Sequence, residues 1–125
     1  MSATEKDTLA AAWIALHHSA ARSQAHNDNF WAFTTLSDLC ESAPEQGWEF
    51  IEAIRRADGS DVILANLAAG PLEDLLVRHG PQFIERVEML AASDPQFRKM
   101  LGALWKNSIR DDVWSRIQRV SGPTF

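Results

Sequence analysis

The chain has 125 residues, 46% of them hydrophobic and 23% charged, and its formal net charge is −5. This length and composition fit one folded domain and exclude an intrinsically disordered chain. Residues 1–69 contain ten acidic and four basic side chains, whereas residues 70–125 contain seven and eight. An acidic surface disfavours nucleic acid as a partner, because phosphate binding depends on Lys and Arg.

The sequence also bears on where the protein resides. Its apolar stretches fall well short of the roughly 20 residues that cross a bilayer. Residues 1–7 lack the basic start of a signal peptide. The single cysteine, Cys40, cannot form an intramolecular disulfide, which fits a reducing compartment. We therefore expect a cytoplasmic protein that does not contact a membrane.

Capping residues divide the first half of the chain into three predicted helices. Ser2 and Glu5 form a capping box, and Ser42-Ala43-Pro44-Glu45 forms another with proline in the first turn. The Asn27-Asp28-Asn29 cluster separates the first two helices. The predicted helices run to about His26, over Phe30–Glu41, and from Pro44 to the Asp58-Gly59 pair.

Glycine and proline punctuate the second half. Ser60 caps a short helix, and we expect Gly70-Pro71 and Gly80-Pro81 each to stop one helix and start the next. Ser93-Asp94-Pro95 repeats the signal, and a last helix precedes the C-terminal Gly-Pro pair. Because no alternating β pattern persists, the predicted fold is all-α. We expect a single domain over residues 1–125, a compact array of about seven or eight short helices.

An internal similarity leaves two architectures open. Phe50-Ile51-Glu52 recurs as Phe83-Ile84-Glu85, and Ser60-Asp61 recurs as Ser93-Asp94, both at an offset of about 33 residues. This offset is a typical length for a helix-pair repeat, so the helices could form a solenoid-like stack of pairs. Helix starts also resemble one another through capping, and the alternative is a compact irregular bundle.

The most distinctive run of the second half is Gly-Pro-Leu-Glu-Asp-Leu-Leu. It consists of Gly70, Pro71, Leu72, Glu73, Asp74, Leu75 and Leu76. With His79-Gly80, Asp94, Phe97-Arg98 and Leu104-Trp105 after it, the run resembles an uncharacterised family of small bacterial helical domains. The resemblance covers about residues 48–120. It implies a helical fold and a bacterial origin but no activity, and we expect the motif to be structural.

Glu73 and Asp74 are the first candidates for chemistry, since adjacent carboxylates can hold a metal or act as acid and base. A structural interpretation is favoured. Behind Pro71 both lie in the first turn of a predicted helix, where the helix dipole favours anions. Asp74 also stands four residues before Arg78, an ion-pair spacing. Neighbouring helical positions point about 100° apart, which makes a shared ligand difficult.

Histidine and cysteine spacing points to neither a metal site nor a nucleophile. The histidines are His17, His18, His26 and His79. None stands three or four residues from another, as helical metal ligands do. His79 falls near a predicted helix end, where it suits the terminal carbonyls. Cys40 shares an apolar stripe with Phe33 and Leu36, which indicates a small buried hydrophobe. We expect no metal, no cofactor and no catalytic residue.

Five tryptophans are many for a chain of this length. Trp13, Trp48 and Trp105 coincide with apolar stripes, so we expect them in the core. Trp31 and Trp114 lie beside theirs and are the predicted exposed ones. An exposed tryptophan is a common anchor in protein interfaces, because it buries a large area at low entropic cost.

An acidic helical face is the other predicted feature of the surface. Glu45, Glu49 and Glu52 lie at positions i, i+4 and i+7 of the third helix, and Asp38 and Glu41 precede them. The simpler interpretation is the solvated side of an amphipathic helix. The alternative is a patch that steers a basic partner towards the protein.

These features together predict a non-enzymatic protein-interaction domain, similar to an immunity or antitoxin protein. It would bind a basic toxin or effector through the acidic face, with Trp31 or Trp114 as anchor. One alternative is a structural or regulatory domain that self-associates and buries one of these tryptophans. Another is an enzyme that uses Glu73 and Asp74, which requires a pocket at the start of their helix.

Overall fold

Seven α-helices make up most of residues 2–125, the part of the chain that the computed structural model describes. They are α1 (Ala3–His18), α2 (Gln24–Ser42), α3 (Pro44–Ala57), α4 (Asp61–Leu67), α5 (Glu73–Ser93), α6 (Pro95–Leu101) and α7 (Asp111–Val120). A π-helical turn, Ala68–Leu72, joins α4 to α5. These residues contain no strand, which confirms the all-α prediction. No helix among them is long and apolar enough to span a bilayer.

The boundary between α1 and α2 lies earlier than predicted. α1 ends at His18, and Arg22 in the following connection takes a left-handed conformation with a φ of 67°. Ser23 then caps α2, since its hydroxyl accepts a hydrogen bond from the His26 N–H at 3.1 Å. This cap satisfies one of the orphan N–H groups of the new helix, so α2 starts six residues early and contains the Asn27-Asp28-Asn29 cluster.

Side-chain caps begin three of the other helices, α1, α4 and α6, as predicted. The Ser2 and Ser60 hydroxyls and the Asp94 carboxylate each accept a hydrogen bond from a first-turn N–H. α3, α5 and α7 begin without a side-chain cap, and α3 starts directly at Pro44. The predicted capping serine, Ser42, is the last residue of α2, and its hydroxyl donates to a carbonyl within that helix.

Neither glycine–proline pair separates two helices, contrary to the prediction. Pro71 lies in the π-helical turn, whose wider backbone leaves room for a ring that clashes with the preceding turn of a regular α-helix. Pro81 lies inside α5, which kinks at His79 (φ −132°, ψ 22°) instead of ending. A Cβ at Gly80 would lie 3.1 Å from both methyl carbons of Val113, so glycine lets α7 approach the kink closely.

The 33-residue repeat corresponds to helices that lie side by side. Two ion pairs join α3 to the second half of α5 and the residue after it: Glu45–Arg86 and Arg55–Asp94. The earlier residue of α3 pairs with the earlier residue of the other segment, and the later with the later. α3 and the second half of α5 therefore run in the same direction. Ile51 and Ile84 are equivalent buried positions, and the buried Ile117 of α7 is a third at the same offset. The arrangement differs from a solenoid in which each repeat contacts only its neighbours, because α2 packs against α1, α3 and α5 together.

One hydrophobic core connects all seven helices. Its members include Leu9, Leu36, Ile51, Ile63, Leu76, Phe97 and Ile117, one from each helix. The helices contribute unequally. α2 buries only three of its 19 residues, whereas α3 buries seven of its 14. α2 therefore lies at the edge of the core, with most of its length exposed.

Candidate protein-binding surface

The three carboxylates of the acidic face predicted on α3 form ion pairs with basic residues of the same chain. Glu45 forms a two-bond ion pair with Arg86 on α5, at 2.8 and 2.9 Å, and this pairing lowers the pKa of Glu45. Glu49 contacts Lys6 on α1 at 2.9 Å. Glu52, the third member, is buried rather than exposed. This α3 stripe of Glu45, Glu49 and Glu52 therefore joins helices together and leaves little free charge for a partner.

Glu52 belongs to a buried ionic network. Its carboxylate accepts hydrogen bonds from Nε and Nη2 of Arg55 at 2.6 and 2.7 Å. Arg55 Nη1 also reaches Asp94 and Gln96, each at 3.0 Å, at the start of α6. Burial opposes the ionisation of Asp94, but the Phe97 N–H and Arg55 outweigh it and lower the pKa of Asp94. The prediction of an exposed Glu52 is wrong because this guanidinium compensates its charge inside the protein.

The set of exposed tryptophans differs from the predicted one. Trp13 and Trp48 are buried as expected, and Trp31 is 46% exposed. Trp114 is partly buried against the core. Trp105, expected in the core, is 68% exposed. It lies in the irregular connection between α6 and α7, where helical periodicity does not decide which side chains face inwards.

Trp31 lies at the centre of a second acidic surface, on the outer side of α2. Asp28 precedes it by three residues and Asp38 follows by seven, so the three share one face of the helix. Glu5 of α1 lies beside Trp31, and both line a hollow of about 220 Å³. Leu9 and three threonines complete its lining. We call Glu5, Asp28, Trp31 and Asp38 the Trp31 face.

The carboxylates of the Trp31 face make no ion pair within residues 2–125. Asp28 accepts a hydrogen bond from the neutral amide of Gln24 at 2.6 Å, and Asp38 is exposed. Glu41, which the prediction groups with Asp38, differs because it pairs with an arginine of α5 at 3.4 Å. Of the predicted acidic residues, only Asp38 forms no ion pair within residues 2–125; Glu5 and Asp28 are not among the predicted ones.

The Gly70–Leu75 motif forms the π-helical turn and the start of α5. Three of its residues are buried: Pro71, Leu72 and Leu75. Glu73 and Asp74 lie in the first turn of α5, as predicted, but α4, the turn and α5 form one continuous run, so this turn has no free helix N-terminus for the two carboxylates to cap. The first residues of the motif therefore form part of the π-helical turn that accommodates Pro71.

Glu73 and Asp74 have different surroundings. The Glu73 carboxylate accepts a hydrogen bond from the Asn107 amide at 2.7 Å, which ties α5 to the connection before α7. Asp74 is partly buried, and burial, followed by the charge of Glu73, raises its pKa. Arg78, the predicted partner of Asp74, instead pairs with Glu41. Glu73 therefore makes a structural bond, whereas Asp74 lacks its predicted arginine partner.

Cys40 and His79 contact neighbouring helices. A Cβ at Gly47 of α3 would lie 2.9 Å from the buried Cys40 Sγ, so glycine permits close packing there. Burial, and then the charge of Asp74, raise the pKa of the Cys40 thiol to about 12, which suppresses a nucleophilic thiolate. His79 Nε2 donates to the Glu41 carbonyl at 2.9 Å, so it satisfies the end of α2 rather than a carbonyl of its own helix. Across residues 2–125, no three His, Cys, Asp or Glu side chains cluster as metal ligands do.

An exposed apolar patch beside the Trp31 face is absent from the predictions. Phe33, expected in the core, is 42% exposed, Phe30 is 47% exposed, and Val62 of α4 is 46% exposed. We call these three residues the Phe patch. The sequence does contain a signal for it: Phe30 and Phe33 stand three residues apart on one side of α2, whereas Trp31 points about 100° away from Phe30, so a single packing face cannot bury all three.

The family of unknown function DUF6869 matches the chain over residues 19–124. The chain therefore belongs to this family. No curated protein and no solved structure matches it. The family match is longer than the resemblance over residues 48–120, and it includes all of α2, which carries most of the Trp31 face.

Proposed function

We propose that this member of the family of unknown function DUF6869 is a non-enzymatic protein-interaction domain that binds a basic partner at the Trp31 face. One observation carries the proposal: an exposed indole is surrounded by carboxylates that form no ion pair within residues 2–125. The carboxylates of the α3 stripe, in contrast, are occupied by the protein's own cations.

Trp31 is the anchor of the proposed interface. Tryptophan is enriched among the residues that dominate binding energy, since it presents a large rigid surface with few rotatable bonds. The hollow of about 220 Å³ beside its ring has Leu9 and threonine side chains in its wall. An apolar side chain of the partner fits this hollow and packs against the indole.

The three carboxylates set the charge of the partner. Residues 2–42 contain five acidic and only two basic side chains. One of the two, Lys6, is engaged by Glu49. A surface of one sign steers an oppositely charged protein and raises its association rate, and salt weakens this effect. The partner therefore presents lysine or arginine around an apolar side chain.

A small acidic chain of this kind suits an immunity or antitoxin-like role, in which it neutralises a basic toxin or effector in the bacterial cytoplasm. Such a role needs surface complementarity and no catalytic group. The high pKa of the Cys40 thiol and the structural bond of Glu73 support a non-enzymatic function.

The test uses the tagged full chain as bait in a lysate of the source organism, with wild type, Trp31→Ala, Asp38→Lys and Glu49→Gln compared. We expect one basic protein to be recovered stoichiometrically by wild type and by Glu49→Gln. For that protein, Trp31→Ala should raise Kd by about 30-fold. Asp38→Lys should slow its association and reduce the salt dependence.

Three results would contradict the proposal. The first is the absence of any stoichiometric partner, and the second is a partner with an acidic binding surface. The third is a partner whose affinity falls with Glu49→Gln but not with Trp31→Ala, since that would place binding on the α3 stripe.

A further inference from the structure

The Phe patch is a second exposed surface of α2, and it has no fixed charge. Phe30 and Phe33 line a hollow of about 290 Å³ together with Leu16, His17, Ser19, Ala21, His26 and Asn66. Asn66 donates a hydrogen bond to the carbonyl of Val62, one turn earlier on α4, so Val62 stands on the same side of that helix. No Asp, Glu, Lys or Arg is present among these residues, although the chain as a whole is strongly acidic.

The Phe patch combines a projection and a depression. The rings of Phe30 and Phe33 are stacked with their centroids 5.5 Å apart, and together they form an apolar ridge. The hollow that they line lies directly beside them. His17 stacks on the buried Trp13 at 3.8 Å, and burial lowers the pKa of His17, which favours its neutral form at the hollow.

We infer that the Phe patch binds the Phe patch of a second copy of this chain. A two-fold interface places the same surface on both subunits, so a patch that carries its own ridge and its own hollow is self-complementary. The ring of Phe30 or Phe33 of one copy enters the hollow of the other. Two chains of net charge −5 repel each other, and an uncharged patch is where they approach at the least electrostatic cost.

The exposed area indicates a weak dimer. A phenylalanine side chain presents about 200 Å², and Phe30 and Phe33 each leave a little under half of theirs exposed. In a symmetric pair these rings bury roughly 350 Å², which is the apolar centre of an interface smaller than the standard 1,600 Å² or so. We therefore expect a dissociation constant in the micromolar range or above.

The inferred interface is separate from the Trp31 face. Trp31 directly follows Phe30 and points about 100° away from it around the helix axis. Dimerisation through the Phe patch therefore leaves Trp31 and its carboxylates accessible. The inference does not depend on the proposed function, and either can fail without the other.

Sedimentation of the purified full chain, over about 1 µM to 1 mM, tests the inference. We expect a concentration-dependent monomer–dimer equilibrium for wild type. Phe33→Asp should weaken dimerisation by about 100-fold, since it buries an unpaired carboxylate in the interface. The matched control is Trp31→Asp, which changes an equally exposed aromatic residue on the same helix and should leave the equilibrium unchanged.

A monomer at every concentration would overturn the inference, and so would a dimer that Trp31→Asp dissociates and Phe33→Asp does not. A second measurement keeps both phenylalanines intact. Cys40 is buried and unreactive, so a single new cysteine can be crosslinked selectively. Ser37→Cys, one turn after Phe33, should give covalent dimers with a short bis-maleimide, whereas Thr35→Cys, in the hollow beside Trp31, should not. Equal crosslinking of the two variants would count against the inferred interface.

Discussion

The α3 stripe and the Trp31 face differ in what surrounds their charges. On α3, the cation that binds Glu45 comes from 41 residues later in the chain, and the one that binds Glu49 comes from 43 residues earlier. Around Trp31, the carboxylates of α1 and α2 have no such partner within residues 2–125. The carboxylates of the α3 stripe therefore form contacts between helices, whereas those of the Trp31 face remain as surface charge without an ion pair in the described part of the chain.

The difference follows from the position of each helix in the stack. Lys6 of α1 and Arg86 of α5 pair with carboxylates of α3, whereas within residues 2–125 no basic residue pairs with Asp28 or Asp38 on the exposed side of α2. The basic second half of the chain also neutralises part of the acidic first half, through Glu41–Arg78, Glu45–Arg86 and Asp61–Lys99. Charge counted along the sequence therefore overestimates the charge that a partner meets.

The largest expected effect concerns the buried end of the α3 stripe. Arg55→Ala removes the buried cation that Glu52 and Asp94 share and leaves Glu52 with only the exposed Arg56, 3.6 Å away, so we expect the free energy of unfolding to fall by about 3–5 kcal/mol. Urea denaturation measures it. The control is Arg56→Ala, which removes the other cation near Glu52; because its side chain is 68% exposed and 3.6 Å away, stability should change by less than about 0.5 kcal/mol. A loss below about 1 kcal/mol for Arg55→Ala would mean that the network does not hold α3 to α6.

A smaller effect is expected where α2 meets α3. In Gly47→Ala the new Cβ lies 2.9 Å from Cys40 Sγ and 3.0 Å from its Cα, so the helices must separate slightly. We expect a loss of about 1–3 kcal/mol by thermal or urea denaturation. Gly70→Ala serves as the control, because nothing lies within 4 Å of the new Cβ and its backbone is helical. Equal losses in the two variants would show that close packing is not the cause.

The third prediction concerns pH at the other end of α3. His18 Nε2 bonds to Asp58 at 2.8 Å, and this bond, with those from Ser60, lowers the pKa of Asp58 from 3.8 to about 2. Because the folded pKa lies below the unfolded one, the stabilisation is complete above about pH 3.8 and is lost as the pH falls through about 2. Asp58→Asn should be less stable at neutral pH and should lose less stability than wild type across that interval. Parallel pH profiles in urea titrations would refute this assignment.

The smallest effect is expected on the Trp31 face. Asp38→Lys removes an exposed carboxylate without an ion pair in the described chain, so the free energy of unfolding should change by less than about 0.5 kcal/mol. Glu45→Lys should be clearly destabilising, because it breaks the pair with Arg86 and places two cations together. If both variants were equally stable in urea, the distinction between the two acidic surfaces would disappear.

Helix type and most helix starts follow from neighbouring residues. The caps at Ser60 and Asp94 are predictable because a side chain bonds to N–H groups two or three residues away. Pro71 and Pro81 are failures among these local signals, as are the Asn27-Asp28-Asn29 cluster and the predicted Ser42 cap. The π-helical turn compensates the cost of Pro71, and the kink at His79 compensates that of Pro81. Packing against other helices maintains both distortions.

The candidate surface is less predictable from sequence. The spacing of Glu45, Glu49 and Glu52 does place them on one side of α3, but spacing contains no information about Arg86 or Lys6. The exposure of Trp31 is predicted, whereas Trp105 and Phe33 are assigned to the core and lie on the surface. Periodicity identifies which residues share a side of a helix, and it does not tell how much of that side another helix covers.

The helical class, the caps and the acidic character of the first half are therefore encoded in short stretches of chain, since they depend on hydrogen bonds and spacings within a few residues. Which carboxylates lack an ion pair depends on cations from about forty residues away in the sequence. Which aromatic rings of α2 stay exposed depends on which of its sides the other helices cover. Those outcomes require the packed arrangement, because an ion pair or a buried ring needs a neighbour that only folding brings into contact.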